Sequence, residues 1–325
     1  MARKTATAGL MAALLAAAAA ASAAAPSAPA PPTTDAAPPS VSGVTVTAPG
    51  KSIVPVDPAT QFVRERAPTS RNQQYARFHD AVCVRVLGLP AEFDAFVARR
   101  IVEVAHEVHA PVNPKAACKP NVNVIFSAQP QAQLSDIAKR RDILFGYVPP
   151  ADLKAAATFS RPIQSWYLMR RVGTQGDSAL ELDTGSECVS SHALNQPPCD
   201  IRGPLQGRAG SRLGNDMSTE LVHSLIIADA NKVAGEKIDA VADYIAVLAL
   251  SRWQGLERCS GGVSTILNLM AEGCDAEDRP DAATPADLAL LTGLYAADPR
   301  ESGTQQRATI ASAIRKAEAP EETHR

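Results

Sequence analysis

Asn121-Val122-Asn123-Val124-Ile125-Phe126 alternates polar with β-branched or aromatic residues, the period-2 pattern of a half-buried strand. Before it, Ala91 to His109 places Phe93, Phe96, Val97, Ile101, Val104 and Val108 on one face at helical spacing, which predicts an amphipathic helix. After it, Pro130 to Arg141 predicts another helix and completes a β-α unit. Pro149-Pro150 then punctuate the chain, ahead of a helical turn from Ala151 to Ala157.

Ile163 to Val172, carrying Trp166 and Tyr167, reads as a strand, with Ala179 to Asp183 as its hairpin partner. Glu220 to Ala228 is a further strand. From Lys237 the pattern turns helical, over Ile238–Arg252, Val263–Met270, Ala286–Ala297 and Thr304–Ala317. Thr284-Pro285-Ala286-Asp287 opens one of these with an N-cap threonine, a proline at the first helical position and an acid two residues later. Strands first and helices last imply an α+β fold: a small mixed sheet with helices packed on it and a helical C-terminal lobe. The expected globular domain runs over 61–317, with an α/β part over 61–235 and a helical part over 236–317; 318–325 reads as a disordered tail. Gly185 to Gly214, rich in glycine, proline and serine, reads as a long loop, a feature often tied to function in a compact domain.

The first residues have the layout of a secretory signal peptide. Arg3-Lys4 is followed by an apolar run from Ala8 to Ala21 and by Ala21-Ser22-Ala23, an A-x-A cleavage signature. Cleavage after Ala23 is preferred, because Pro26 would crowd a bond broken after Ala25. The run is too short and too alanine-rich to span a membrane, and no later stretch reaches the ~18 apolar residues a span requires. Residues 24–60, dominated by Ala, Pro, Ser and Thr, lack the large apolar side chains needed to offset ordering entropy and are expected to be a disordered linker. Val44-Thr45-Val46-Thr47-Ala48 stands out within it. It reads either as a short strand or, by resemblance, as the short segment that TonB-driven receptors carry after their signal peptides, which implies an envelope protein partner although the chain has no room for the barrel of those receptors.

Export predicts periplasmic or secreted localisation, and there an even set of six cysteines reads as disulfides. The local pairing is Cys83–Cys118, Cys188–Cys199 and Cys259–Cys274. Each bridge would contribute about 2–4 kcal/mol by restricting the unfolded chain. None of these cysteines forms a tight C-x2-4-C pair, so zinc held by thiols is not expected. A net charge of −2 leaves no basic footprint for nucleic acid. With aromatics at 4 %, a carbohydrate-stacking surface is not expected either.

Few residues offer chemistry. Glu103-Val-Ala-His106-Glu107-Val-His109 is not H-E-x-x-H, and His106 points away from the apolar stripe, beside Arg99 and Glu103 at i,i+4 spacing, as on a solvated face. Asp243 is more informative, because the helix around it is apolar nearly all round and a buried carboxylate needs a partner. A salt bridge or a hydrogen bond to a loop competes there with a general-acid role. Asp239 lies one turn earlier, near the helix N-terminus, where the dipole favours it. No G-x-S-x-G, P-loop or G-x-G-x-x-G occurs, and His79, His192 and His223 stand in no motif that would make them a base. No metal or cofactor is expected. The reading leans towards a non-catalytic binding or envelope-associated module, with a degenerate or atypical peptidase-like hydrolase using Asp243 and Asp239 as the alternative.

Asp239-Ala-Val-Ala-Asp243-Tyr-Ile-Ala-Val-Leu-Ala, Ser264-Thr-Ile-Leu-Asn-Leu-Met270 and Asp287-Leu-Ala-Leu-Leu-Thr-Gly-Leu-Tyr295 resemble a group of exported alphaproteobacterial proteins. So do Cys83, Gly88-Leu89, Cys118-Lys-Pro-Asn-Val122 and Phe126. The group carries no activity that transfers. The order of elements is also similar to zincin-type metallopeptidases, which implies a zincin-like shell. Ala242-Asp243-Tyr244-Ile245-Ala246 would occupy the place of the zinc motif without a histidine at either ligand position.

Overall fold

The computed structural model describes residues 56–113, 118–141, 146, 153–174, 178–181 and 217–319. The expected signal peptide, nearly all of the expected linker with Val44–Ala48, the 185–214 loop with His192 and Cys188–Cys199, and residues 320–325 lie outside the described residues.

The fold is α+β. Strands β1 (Arg77–Phe78), β2 (Val84–Leu87), β3 (Val122–Ser127), β4 (Ile163–Val172), β5 (Ser178–Leu180) and β6 (Ser218–Asp229) form one mixed sheet in the order β2-β3-β6-β4-β5, with β1 also on β6. β1, β2, β3 and β6 run parallel, whereas β4 pairs antiparallel with both β6 and β5. β3 fits its sequence pattern residue by residue: Val122, Val124 and Phe126 are buried and the residues between them are half-buried. The central strand β6 is buried along almost its whole length, as a strand covered on both faces must be.

The helices are α1 (Pro58–Arg66), α2 (Ala91–Glu107), α3 (Pro130–Arg141), α4 (Leu153–Ala156), α5 (Ile238–Leu250), α6 (Pro285–Ala296) and α7 (Gly303–Glu318). One face of the sheet carries the main core, a continuous cluster that includes Phe62, Ile101, Val124, Ile226, Ile245, Leu290 and Ile310. The opposite face holds a small cluster of Leu134, Trp166, Leu225 and Ile227. Because the main core takes residues from α1 and α2 as well as from α5, α6 and α7, the expected α/β part and helical part share one hydrophobic interior. Residues at helix contacts are small where backbones approach: a Cβ on Gly293 of α6 would lie 2.9 Å from Ile310 Cα of α7. Gly88, at φ +109°, turns the chain where a Cβ would strike the Phe126 carbonyl.

Several sequence expectations require correction. The chain is structured before residue 61: Asp57 caps α1 by accepting from Thr60 N at 3.1 Å, Pro58 opens it, and Ala59 and Phe62 are buried. α7 continues through Glu318, into the expected tail. Phe93 does not belong to the buried face of α2, being 41 % exposed in its first turn. The ion pair on that helix is Arg100–Glu103 at 3.5 Å rather than Arg99–Glu103, and Arg99 instead lies over the Phe96 ring. Val263–Met270 is a 3-10 turn over Ile266–Met270. Disulfides join Cys83 to Cys118 and Cys259 to Cys274.

Candidate functional site

Asp243 sits in the middle of α5, which is buried from Ala240 to Leu250, and is itself 3 % exposed. Its Oδ1 accepts from Arg100 Nε of α2, and its Oδ2 accepts from Arg100 Nη2 at 3.2 Å and from the Ala283 amide at 2.7 Å. This is a bidentate guanidinium pair reinforced by a backbone donor just ahead of α6. The hydrogen bond to Asp243 is also the main reason the Arg100 guanidinium is held above its ordinary pKa. Asp239, one turn earlier, is exposed and has no part in this arrangement. The two aspartates on which the hydrolase alternative depends are therefore not brought together.

His223 of β6 lies 2.6 Å from Asn123 Nδ2 of β3, and Asn123 Oδ1 accepts from Arg85 Nε of β2 at 2.9 Å. With its oxygen engaged by Arg85, Asn123 donates to His223 Nε2, which puts the ring proton on Nδ1. This row of side chains across three strands does not involve Asp243. His79, Glu103, His106, Glu107 and His109 are exposed. Among the described residues no group of three or more His, Cys, Asp or Glu is placed to hold a metal ion.

Two further acids are buried: Asp287, read from the sequence only as part of a helix start, and Glu181, which the sequence did not single out. Asp287, at the third position of α6, completes a capping box with Thr284 and also reaches across to the 3-10 turn, accepting from Thr265 Oγ1 at 2.5 Å and Ile266 N at 2.8 Å. Burial pushes its pKa up, and the Ile266, Thr265 and Thr284 donors pull it back. Glu181, just after β5, is also raised by burial, while the charges of Arg171, Arg252 and Arg71 oppose the shift.

A cleft of ≈ 330 Å³ opens beside α5, lined by Ser160, Arg161, Pro162, Ile163, Tyr244, Leu256, Glu257, Met270 and Glu272. Its position follows from the topology. Ser160 to Ile163 lead into β4, and Ile163 pairs with Ala228 near the C-terminal end of β6. Met270 and Glu272 come from the loop that the Cys259–Cys274 bridge closes. Its walls are aliphatic at Ile163, Leu256 and Met270. Arg161 and Glu257 face each other at 3.2 Å, and Glu272 forms no ion pair among the described residues. A second cleft of ≈ 450 Å³ lies beyond the same loop, between Lys237, Leu269, Cys274, Arg279 and Asp281, but no buried polar side chain faces it.

Tyr244 distinguishes the first cleft. The last four carbonyls of α5 lack helical partners, as at any helix C-terminus, and each receives a side-chain donor. Trp253 Nε1 donates to Val247 O at 2.8 Å, Tyr167 Oη to Leu248 O at 2.9 Å, Ser224 Oγ to Ala249 O at 2.9 Å and Tyr295 Oη to Leu250 O at 3.0 Å. Tyr244, on the same helix and 1 % exposed, lines the cleft and makes no side-chain hydrogen bond to the described residues. Burial raises its pKa and keeps the hydroxyl neutral, with Arg161 and then Arg66 acting in the opposite direction. Its oxygen is not among the fully buried polar atoms that lack a partner, so it opens onto the cleft, where a ligand group would be accommodated.

No helix among the described residues is long and apolar enough to cross a membrane. No protein-family model, curated protein or solved structure matches the chain.

Proposed function

We propose that this chain is an exported, non-catalytic binding module of the periplasm or the secreted fraction, and that the Tyr244 cleft is its ligand site. The observation that carries this reading is the contrast between neighbours on α5. Asp243 spends its carboxylate on Arg100 and the Ala283 amide, whereas the adjacent Tyr244 hydroxyl faces a cleft without a protein partner. A carboxylate with both oxygens engaged by protein donors has none left to offer a substrate. The Cys83–Cys118 and Cys259–Cys274 bridges suit an oxidising compartment. The signal-like N-terminus and the likeness to exported proteins point the same way.

The test is a paired assay on the full chain recovered from the periplasm. Peptide and ester hydrolysis is followed in the wild type, Asp243→Asn and Glu272→Gln, alongside thermal-shift screening of small metabolites in the wild type and Tyr244→Phe. Expected are no turnover and at least one stabilising compound whose effect shrinks in Tyr244→Phe. Turnover that persists through purification and falls in Asp243→Asn or Glu272→Gln would replace the binding reading with the hydrolase.

A further inference from the structure

We infer that the Tyr244 cleft takes a zwitterion on a small aliphatic body, an α-amino acid of the leucine type; this rests on the binding reading above. Each part of such a ligand has a counterpart in the lining. Arg161, the Ser160 hydroxyl and the neutral Tyr244 hydroxyl are donors suited to a carboxylate. Glu272, and Glu257 on the far side of its contact with Arg161, are acceptors suited to an ammonium group. Ile163, Leu256 and Met270 offer the apolar wall that a branched aliphatic side chain needs.

The charge balance selects against the simpler ligands. The lining holds one cation, Arg161, and two anions, Glu257 and Glu272, so its net charge is +1 − 2 = −1. A purely anionic ligand would meet Glu272 uncompensated. A purely cationic one would leave the Arg161 and Tyr244 donors unused. Arg161 and Glu257 already neutralise each other across 3.2 Å, and each side chain is more than a third exposed. A zwitterion can insert between them and exchange one exposed ion pair for two, at little loss because exposed pairs contribute only about 0–1 kcal/mol. The volume of ≈ 330 Å³ lies at the small end of the usual range for ligand sites, roughly 300–1,000 Å³, which favours a single residue over a long peptide.

The experiment is isothermal titration of the full, disulfide-intact chain with three probes: L-leucine, L-leucinamide, which lacks the carboxylate, and 4-methylpentanoate, which lacks the ammonium group. L-Leucine is expected to bind at least tenfold more tightly than either partial ligand, consistent with loss of one charged hydrogen-bonding group. Arg161→Gln should remove most of the preference for leucine over leucinamide, and Glu272→Gln most of the preference over 4-methylpentanoate. Both side chains are exposed enough to be replaced without unfolding the chain. Leucyl-glycine separates a free amino acid from a peptide N-terminus: equal affinity for the dipeptide would assign the site to peptide ends and overturn the amino-acid assignment. Equal binding of all three first probes, or binding of one partial ligand alone with Tyr244→Phe weakening it, would overturn the zwitterion while leaving the cleft a binding site. Absence of binding by every probe would overturn this inference alone, since the binding reading stands or falls on the turnover and screening assay.

Discussion

Where α2, α5 and α6 meet, buried polar groups are answered by the protein: Asp243 by Arg100 and the Ala283 amide, Asp287 by Thr284, Thr265 and Ile266. One residue beyond Asp243 on the same helix, the Tyr244 side chain is equally buried, but its hydroxyl opens onto the cleft with no protein partner among the described residues. The first region joins elements and the second leaves a place open. Since fully buried polar groups are partnered by the protein while one that opens onto a cleft can be partnered from outside, the difference separates residues that build the fold from one positioned for a ligand.

The largest expected effect lies in the first region. Asp243→Ala leaves the Ala283 amide without its acceptor and Arg100 without its partner. Because the Arg100 side chain is 32 % exposed and can turn to solvent, the expected loss is about 3 kcal/mol, the low end for a buried pair. Urea unfolding with the disulfides intact measures it. A loss below about 1 kcal/mol would mean that the pair is not a structural clamp, and the contrast with Tyr244 would collapse. Asp287→Ala is expected to lose about 2–3 kcal/mol, since it removes a helix cap and leaves the Ile266 and Thr284 amides and the Thr265 hydroxyl without their acceptor, while the Thr284 hydroxyl keeps Ser264 O. The same unfolding curves test it, and an unchanged midpoint would show that the tie between α6 and the 3-10 turn contributes nothing.

The first region was partly legible in the sequence. Thr284-Pro285-Ala286-Asp287 announces its helix start, and an aspartate within an all-round apolar helix announces a buried carboxylate. The partner was not legible: Arg100 is 143 residues away, on a helix whose surface charges look alike until it is docked. The cleft was illegible for the same reason, being assembled from segments near 160, 244, 256 and 270. A tyrosine on a buried helix also reads as core unless its hydroxyl can be placed. β1 and β2, two and four residues long, carry too little periodicity to be read and exist because β6 and β3 pair with them. α1 was obscured by the alanine and proline drift leading into it, although Asp57-Pro58 with Thr60 is a readable start signal.

Glu181 offers a smaller, pH-dependent test of the rule that burial needs partners. Its folded-state pKa is raised by burial, with Arg171, Arg252 and Arg71 opposing the rise. The unfolded chain therefore releases this proton at lower pH than the folded chain does. Stability from this group is complete below the ordinary carboxylate value near 4.5, falls as pH rises from there to the folded value, and is flat above it. Melting curves of wild type and Glu181→Gln between pH 4 and 7 should accordingly diverge in favour of the variant as pH rises. A difference that moved the other way would mean that the three guanidinium groups outweigh burial.

The smallest effects bear most directly on the comparison. Tyr167 and Tyr244 are buried and Tyr295 half-buried, and all three are raised in pKa by desolvation, but only Tyr167 and Tyr295 donate to carbonyls at the end of α5. Tyr167→Phe and Tyr295→Phe each leave a helix-terminal carbonyl without its donor and should lose about 1 kcal/mol. Tyr244→Phe removes no protein hydrogen bond, so its stability should stay within about 0.5 kcal/mol of wild type. The three variants differ from wild type by the same single oxygen, so hydrophobic burial nearly cancels and only partnering separates them. Three equal losses on urea unfolding would give the Tyr244 hydroxyl a structural role and close the cleft as a site. Two losses and one null result would locate the open position on α5 at that one oxygen.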